Sequence, residues 1–357
     1  MNKSPPPAGS APMHYAVDEK WLDQHKEEII EPALPIVDPH HHLWDHPGPG
    51  GRYLFRELLE DLGSGHNIRA TLFVECTSMY RREGPFESLS LGETEFVNGV
   101  AAMSASGAYG PTRVCAGIIG YVNLQVGAAA RELLETHLRV AGERLRGIRN
   151  SVTWHADPSI KPTFRSPKTA CPPGTLLAPR FREGFACLAP LGLPYDCWLY
   201  HTQIDELDDL ARAFPETTIV MNHVGGAIGI GPYAGKRDEV FADWTAKIKK
   251  LARNPNVHLK VGGFGMKLFG FGLGCGDRDL PPSSQDLATA WRPYVETSIE
   301  AFGTNRCMFE SNFPVDKGTC SYAVIWNAFK RLAAGASAEE KTQLFSGTAS
   351  RVYRLLA

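Results

Sequence analysis

The stretch Pro35-Ile36-Val37-Asp38-Pro39-His40-His41-His42-Leu43-Trp44-Asp45 decides how this chain is read. A short apolar run leads straight into closely spaced histidines flanked by carboxylates. If residues 36–42 form a strand and its end, side chains alternate between faces. His40 and His42 then point to one side and His41 to the other. Two imidazoles on one face of a strand end can share a metal ion or a substrate oxygen. A doubly wound sheet would place a glycine-rich turn directly after its first strand; here that position holds histidines.

Working outward, β-like runs recur at residues 36–38, 70–75, 116–122, 146–150, 195–200, 218–222, 257–261 and 307–310. Amphipathic stretches of helical period lie between them. Ala130, Leu133, Leu134, His137 and Leu138 share one face, as do Ile204, Leu207, Leu210, Ala211 and Phe214, and Ile325, Ala328, Phe329 and Leu332. Strands alternating with helices pair in parallel through right-handed crossovers. Eight such units close into an α/β (β/α)8 barrel of TIM type. That barrel is expected over residues 34–357, with loop insertions at its C-terminal face and the helical stretch 346–356 closing it. Residues 1–33 are expected to be a partly disordered extension.

Two segments have the composition of active-site loops. Residues 156–177 are proline-rich and follow the fourth strand. Residues 262–276 are dense in glycine, with Phe264, Met266, Leu268, Phe269 and Phe271 between, which suits either a lid or an irregular surface loop.

Lysine and arginine (37) nearly balance aspartate and glutamate (39), and the signs are interspersed. No basic stripe points to nucleic acid, and no apolar run is long enough to span a bilayer. A small molecule is therefore the expected partner, with no nucleic acid and no membrane. The eight cysteines form no CxxC pair and several sit in apolar runs, which fits free thiols in a reducing cytoplasm.

In such a barrel, chemistry collects at the C-terminal ends of the strands. The first strand ends at His40 and His42. The second ends at Glu75, with Tyr80, Arg81 and Arg82 on the following loop. The fourth ends at Arg149 and Asn150, with Trp154 and His155 just after. The fifth gives Tyr200 and His201, and the sixth Asn222 and His223. The seventh carries Lys260. The eighth gives Glu310, Ser311 and Asn312, with Asp316 beyond. Histidine thus recurs at three separate strand ends in a chain with 12. Arg149 is suited to a substrate carboxylate or carbonyl oxygen. Tyr80 would help place the substrate, and Trp44, Trp154 and Phe313 would form an apolar wall. His201 could equally begin the next helix. Glu75 could bond backbone or help a metal, and Lys260 reads as half-buried or paired.

The motifs His40-His41-His42-Leu43-Trp44, Leu199-Tyr200-His201-Thr202-Gln203, Asn222-His223-Val224-Gly225 and Ser311-Asn312-Phe313-Pro314 resemble the amidohydrolase superfamily. More narrowly they resemble its amidohydrolase-2 branch, with sugar lactonases and 2-pyrone-4,6-dicarboxylate lactonase. The resemblance runs from about Leu34 to the C-terminus. It implies a (β/α)8 barrel and hydrolysis by activated water. His40 and His42 match the paired histidines of strand one, and His201 and His223 those of strands five and six. Where a metal is used, His40, His42 and His223 are the implied ligands.

The strand-eight motif of that family reads Ser-Asp-Trp-Pro, with the aspartate as general base. Asn312 stands in its place here, and a neutral amide cannot take a proton from water. Asp316 or Glu310 would then supply a carboxylate, with Asn312 orienting water or substrate, or the chemistry needs no carboxylate there. Arg149 and Asn150 stand where a carboxylated lysine would serve a binuclear site. One divalent ion, zinc or manganese, or none, is therefore expected.

The leading expectation is a cytoplasmic hydrolase that opens a lactone of a sugar acid or pyrone carboxylate. His223 or Asp316 would activate water, and Arg149, His201 or a metal would steady the oxyanion. One alternative is a metal-dependent decarboxylase or other C–C lyase; another is a catalytically decayed binding homologue. Apolar loops and the resemblance are consistent with a homodimer.

Overall fold

Most of the eight runs are short and largely apolar, the pattern of a strand buried in a parallel sheet. The computed structural model describes residues 14–45, 51–162 and 170–355. In it the runs form β1 (Pro35–His41), β2 (Asn67–Val74), β3 (Arg113–Gly120), β4 (Leu145–Ser151), β5 (Tyr195–Trp198), β6 (Ile219–Met221), β7 (Val257–Val261) and β8 (Cys307–Phe309). Each pairs in parallel with the next. Helices Phe55–Leu62, Leu91–Ala105, Ala130–Ala141, Pro179–Phe185, Ile204–Ala213, Arg237–Leu251 and Ser284–Phe302 fill the crossovers, and Tyr322–Leu332 follows β8. This is the expected eight-stranded barrel with its helices outside.

The seam between β1 and β8 is closed just beyond the regular ladder. Asn312 N–H donates to the His40 carbonyl at 2.9 Å, and His42 N–H to the Phe313 carbonyl at 2.7 Å. Asp38, fully buried, reinforces it. Its Oδ1 accepts from Ser311 N at 3.0 Å, and its Oδ2 from Ser311 Oγ at 2.6 Å and Tyr322 Oη at 2.9 Å. The β1 register slips between Asp38 and His41. Such a bulge re-aims side chains next to active sites. Val37 packs with strand residues inside the barrel, Asp38 bonds the outer helix, and His40 again faces inward.

Val37, Ala70, Leu72, Val74, Ile119, Val220 and Met308 fill the lower barrel, where Ala349 and Tyr353 of helix Thr348–Tyr353 plug them. The helix expected to close the barrel thus inserts Ala349 and Tyr353 into its floor. Tyr353 Oη donates to Asp196 Oδ1 at 2.9 Å, and Asp196 Oδ2 pairs with Lys260 Nζ at 2.7 Å. Both charges are completely buried. Asn222 Nδ2 supplies another donor to Asp196, at 2.9 Å. A buried ion pair survives only when its remaining donors and acceptors are met in this way.

Two segments outside the strands and main helices are packed onto the barrel. From residue 14 onward the N-terminal extension is anchored: Trp21 Nε1 donates to the Asp279 carbonyl, and Lys330 Nζ donates to the carbonyls of Ile30 and Glu31. Residues 1–13 lie outside the described residues. The glycine-dense loop after β7 is no exposed lid, because Phe264, Leu268 and Phe269 are buried and Phe264 stacks on Trp291 at 5.3 Å. Of the proline-rich loop, residues 163–169 lie outside the described residues, while Ile160 is buried against Trp198, Tyr200, Ile228 and Leu268. All eight cysteines are free. No helix among the described residues is long and apolar enough to cross a membrane.

Tyr322→Phe removes one donor to the buried Asp38 carboxylate, and this should lower unfolding free energy by about 1–3 kcal/mol. Urea titration followed by circular dichroism measures it; an unchanged midpoint would show that the seam does not depend on this bond.

Candidate active site

His40 ends β1, His223 follows β6 and Glu310 follows β8, and the closed barrel brings all three together. One ligand atom from each lies within 4.8 Å of the others, and all three residues are buried. His223 Nδ1 sits 2.7 Å from Glu310 Oε1, and the His223 backbone N–H donates to the same oxygen at 3.2 Å. His40 Nδ1 sits 2.7 Å from Glu310 Oε2. That approach is poorly directed, so Oε2 has no well-formed hydrogen bond. The rings of His40 and His223 lie 4.5 Å apart. Burial, with Lys260 and Arg149 nearby, holds both imidazoles well below their usual pKa, so they are neutral, the form that binds metals. Burial pushes the Glu310 carboxyl up to about 8.

Local charges are balanced pairwise. Arg149 Nε donates to Glu75 Oε1 at 2.9 Å, and Lys260 is neutralised by Asp196. Both cations also approach the His40 ring, Arg149 Nη1 at 3.3 Å from Nε2 and Lys260 Nζ at 3.4 Å from Nδ1. Of these three carboxylates, Glu310 alone lacks a cationic partner. Arg149 is therefore held by Glu75 rather than left free for a substrate carboxylate.

Asp316 lies beside this group, fully buried. Its Oδ1 accepts from Asn312 Nδ2 at 2.8 Å and its Oδ2 from Gly265 N at 2.9 Å. Burial raises its pKa to about 8. The β7 loop must run close to both groups. A Cβ on Gly263 would fall 2.5 Å from His223 Nδ1, and one on Gly265 2.8 Å from the Asp316 carboxyl carbon. Glycine density here serves close approach, not mobility. His223 and Asn312 themselves adopt left-handed backbone, with φ of 51° and 54°. Non-glycine residues in that region are strained, and such strain gathers at functional sites.

The other expected residues are distributed around this centre. His42 Nδ1 lies 2.7 Å from the Val74 carbonyl, its ring meets His40 edge-on at 4.9 Å, and Trp44 stacks on its other face at 5.7 Å. It adjoins the three-residue group without joining it. His201 packs against Tyr233 at 5.2 Å, and its Nδ1 accepts from Ile228 N at 3.3 Å. Burial holds His201 neutral, at about 4, so its proton resides on Nε2. Tyr80 presents a buried hydroxyl with no hydrogen-bond partner among the described residues. Trp154 N–H donates to Gln203 Oε1 at 2.9 Å. Phe313 is fully buried against Tyr322, so it contributes to the core and not to a pocket wall. Glu93 escaped sequence reasoning. Buried on helix Leu91–Ala105, it accepts from Cys76 N at 3.0 Å and Ser78 N at 2.7 Å and so fixes the turn after β2.

The chain as a whole is similar to known proteins. The amidohydrolase family model matches residues 37–355. The chain belongs to this family. The uncharacterized protein y4mH of Sinorhizobium fredii is 33% identical over 342 residues, covering 90% of this chain and 99% of its own. An L-fucono-1,5-lactonase of Burkholderia multivorans is 25% identical over 331 residues, covering 89% of this chain and 96% of its own. A crystal structure of an amidohydrolase from Burkholderia multivorans with bound zinc superposes with a TM-score of 0.66 at 22% identity, covering 90% and 99% of the two chains.

Zinc titration of chelator-treated protein should find Glu310→Gln, the loss of a ligand, weakened by well over the roughly 10–100-fold expected for His42→Gln, the loss of a neighbour of the ligands. The reverse order would make His42 the ligand and Glu310 the neighbour.

Proposed function

We propose that this amidohydrolase-family chain is a lactone hydrolase that uses one divalent ion, zinc or manganese, held by His40, His223 and Glu310. The buried group itself carries the reading: two neutral imidazoles converge on one carboxyl group that no lysine or arginine among the described residues pairs with directly. Two histidines and a glutamate form a donor set of catalytic zinc sites, which keep a further position open. A bound ion would supply Lewis-acid polarisation of the ester carbonyl. Kinship with L-fucono-1,5-lactonase supports a cyclic ester as substrate. Eight free cysteines fit a cytoplasmic setting.

The chain's own groups account for the proton movements. Asp316, with its raised pKa, takes a proton from water as the water oxygen bonds to the carbonyl carbon. Asn312 and Gly265 N–H hold the two Asp316 oxygens in place. His201 donates its Nε2 proton in a hydrogen bond to the developing oxyanion. Asp316 then returns the proton to the ring oxygen as the ring C–O bond breaks, which leaves an open hydroxy acid. Arg149 and Lys260 keep His40 neutral and oriented. Trp44 and Tyr80 border the substrate.

A panel of sugar lactones and pyrone carboxylates, assayed before and after chelation, tests this. Hydrolysis of at least one lactone, lost on chelation, is expected. No hydrolysis by folded, zinc-loaded protein would overturn the reading, and carbon dioxide release without ring opening would replace it with a C–C lyase. Because Asp316 must be ionised to act, kcat/KM should rise with pH through about 8 and fall below it. Asp316→Asn should flatten that profile and cost about 100-fold in rate, within the usual range for a lost general base. Asn312→Asp would set a second carboxylate against Asp316, where the amide now donates at 2.8 Å, and should also slow the reaction. A gain would instead mark Asn312 as a sign of decay.

A further inference from the structure

Residues 14–33 precede the span that the family model matches, yet they reach the loops that hold Asp316. Their far end is pinned first. Glu27 accepts from Ser284 N at 2.6 Å and from Asn327 Nδ2 at 3.0 Å, and Ile30 N–H donates to Asn327 Oδ1 at 2.9 Å. Trp21 and Leu22 of the helical turn Glu19–Leu22 are buried. The residues before that turn bring Tyr15, only 8% exposed, against the loops that follow β7 and β8.

Both loops leave room for this one residue. A Cβ on Gly274 would fall 2.2 Å from Tyr15 Cδ2, and one on Gly318 would fall 2.6 Å from the Tyr15 carbonyl oxygen. Neither glycine has a positive φ, so close approach, not backbone freedom, is what glycine supplies at these two positions. Tyr15 Oη donates to Asp277 Oδ2 at 2.6 Å, which fixes the ring in its seat.

The same loops are bonded to each other and to Asp316. Cys275 N–H donates to the Gly318 carbonyl at 2.9 Å, and Thr319 Oγ1 donates to the Gly265 carbonyl at 2.7 Å. Gly265 N–H in turn donates to Asp316 Oδ2 at 2.9 Å. Lys317, next in the chain after Asp316, places its Nζ 2.9 Å from Glu19 Oε1 and 3.0 Å from both Asp61 oxygens. Glu19 is largely exposed, so its ion pair with Lys317 contributes little. The buried ring of Tyr15 is the stronger link between the N-terminal segment and these loops.

We propose that Tyr15 is a positioning residue for Asp316. Seated against Gly274 and Gly318, it holds the two loops in the register at which Gly265 N–H meets the Asp316 carboxylate. The inference rests on Asp316 acting as the base in the function proposed above. Tyr15 acts through the loops, so its effect falls on turnover and not on zinc or substrate affinity. Simple anchoring of the segment would account for the bonds of residues 21–31. It would not account for space left at two glycines, one in each loop that meets at Asp316.

Steady-state kinetics on the lactone that the wild-type protein hydrolyses fastest, with zinc affinity measured alongside, tests this. Tyr15→Ala should lower kcat by about tenfold to 100-fold, the cost of a catalytic group misplaced by up to about 1 Å, with KM and zinc affinity changed by no more than about twofold. Tyr15→Phe keeps the ring in its seat and should retain most of the rate. Gly274→Ala should push Tyr15 away and slow turnover by itself, but add little to Tyr15→Ala, which vacates the space, because changes at touching residues are not additive. Unchanged kcat in Tyr15→Ala, zinc affinity lost in step with kcat, or strictly additive effects of the two substitutions would overturn the proposal. If the wild-type protein hydrolyses no lactone, the proposed function fails, and hydrogen exchange of the Gly265 amide decides the inference separately. That amide should exchange at least about tenfold faster in Tyr15→Ala, with the β2 amides unchanged. Equal exchange at Gly265 in the two proteins would overturn it.

Discussion

Closure of β1 onto β8 is the constraint on which the site depends. His40 stands at one edge of the sheet and Glu310 at the other, and they meet only because the sheet curls shut. The bonds that shut it are made by neighbours of the functional residues: Asp38 with Ser311 and Tyr322, Asn312 with the His40 carbonyl, and His42 with the Phe313 carbonyl. Folding and site assembly are thus the same event. The bulge in β1 turns His40 inward while Asp38 reaches outward, so one strand both fastens the barrel and supplies its chemistry.

Below this centre the barrel interior changes from apolar to ionic. Aliphatic residues and Tyr353 fill the floor, and the Asp196–Lys260 pair separates them from the histidines. Buried charges this close to a functional group set its protonation. Arg149 and Lys260 add to burial in keeping His40 and His223 unprotonated, while Glu310 is left as the carboxylate without a cation. Neutral imidazoles beside an unpaired carboxylate are what a divalent cation needs from its protein.

Much of this was legible in the chain. Parallel strands buried on both faces mostly read as short apolar runs, all eight were found at a regular alternation with helices, and the strand-end rule then pointed to His40, His223 and Glu310. A charge inside an apolar strand is itself a signal, and Asp196 with Lys260 could have been paired on that ground. Other features depend on rotations and distances that no local pattern encodes. Glu93 looks like an ordinary helical glutamate until the helix packs its carboxylate under the turn after β2. The glycines after β7 read as a lid or an irregular surface loop because composition does not distinguish freedom to move from close approach. The resemblance implied His40, His42 and His223 as ligands, whereas the buried group that the barrel brings together is His40, His223 and Glu310, with His42 Nδ1 turned to the Val74 carbonyl.

Anomalous diffraction at the zinc edge, from crystals of zinc-loaded protein, tests the central claim most directly. The account predicts a single strong peak about 2.0–2.2 Å from one nitrogen each of His40 and His223 and one oxygen of Glu310. A peak elsewhere, or none at this group in fully loaded protein, would contradict it.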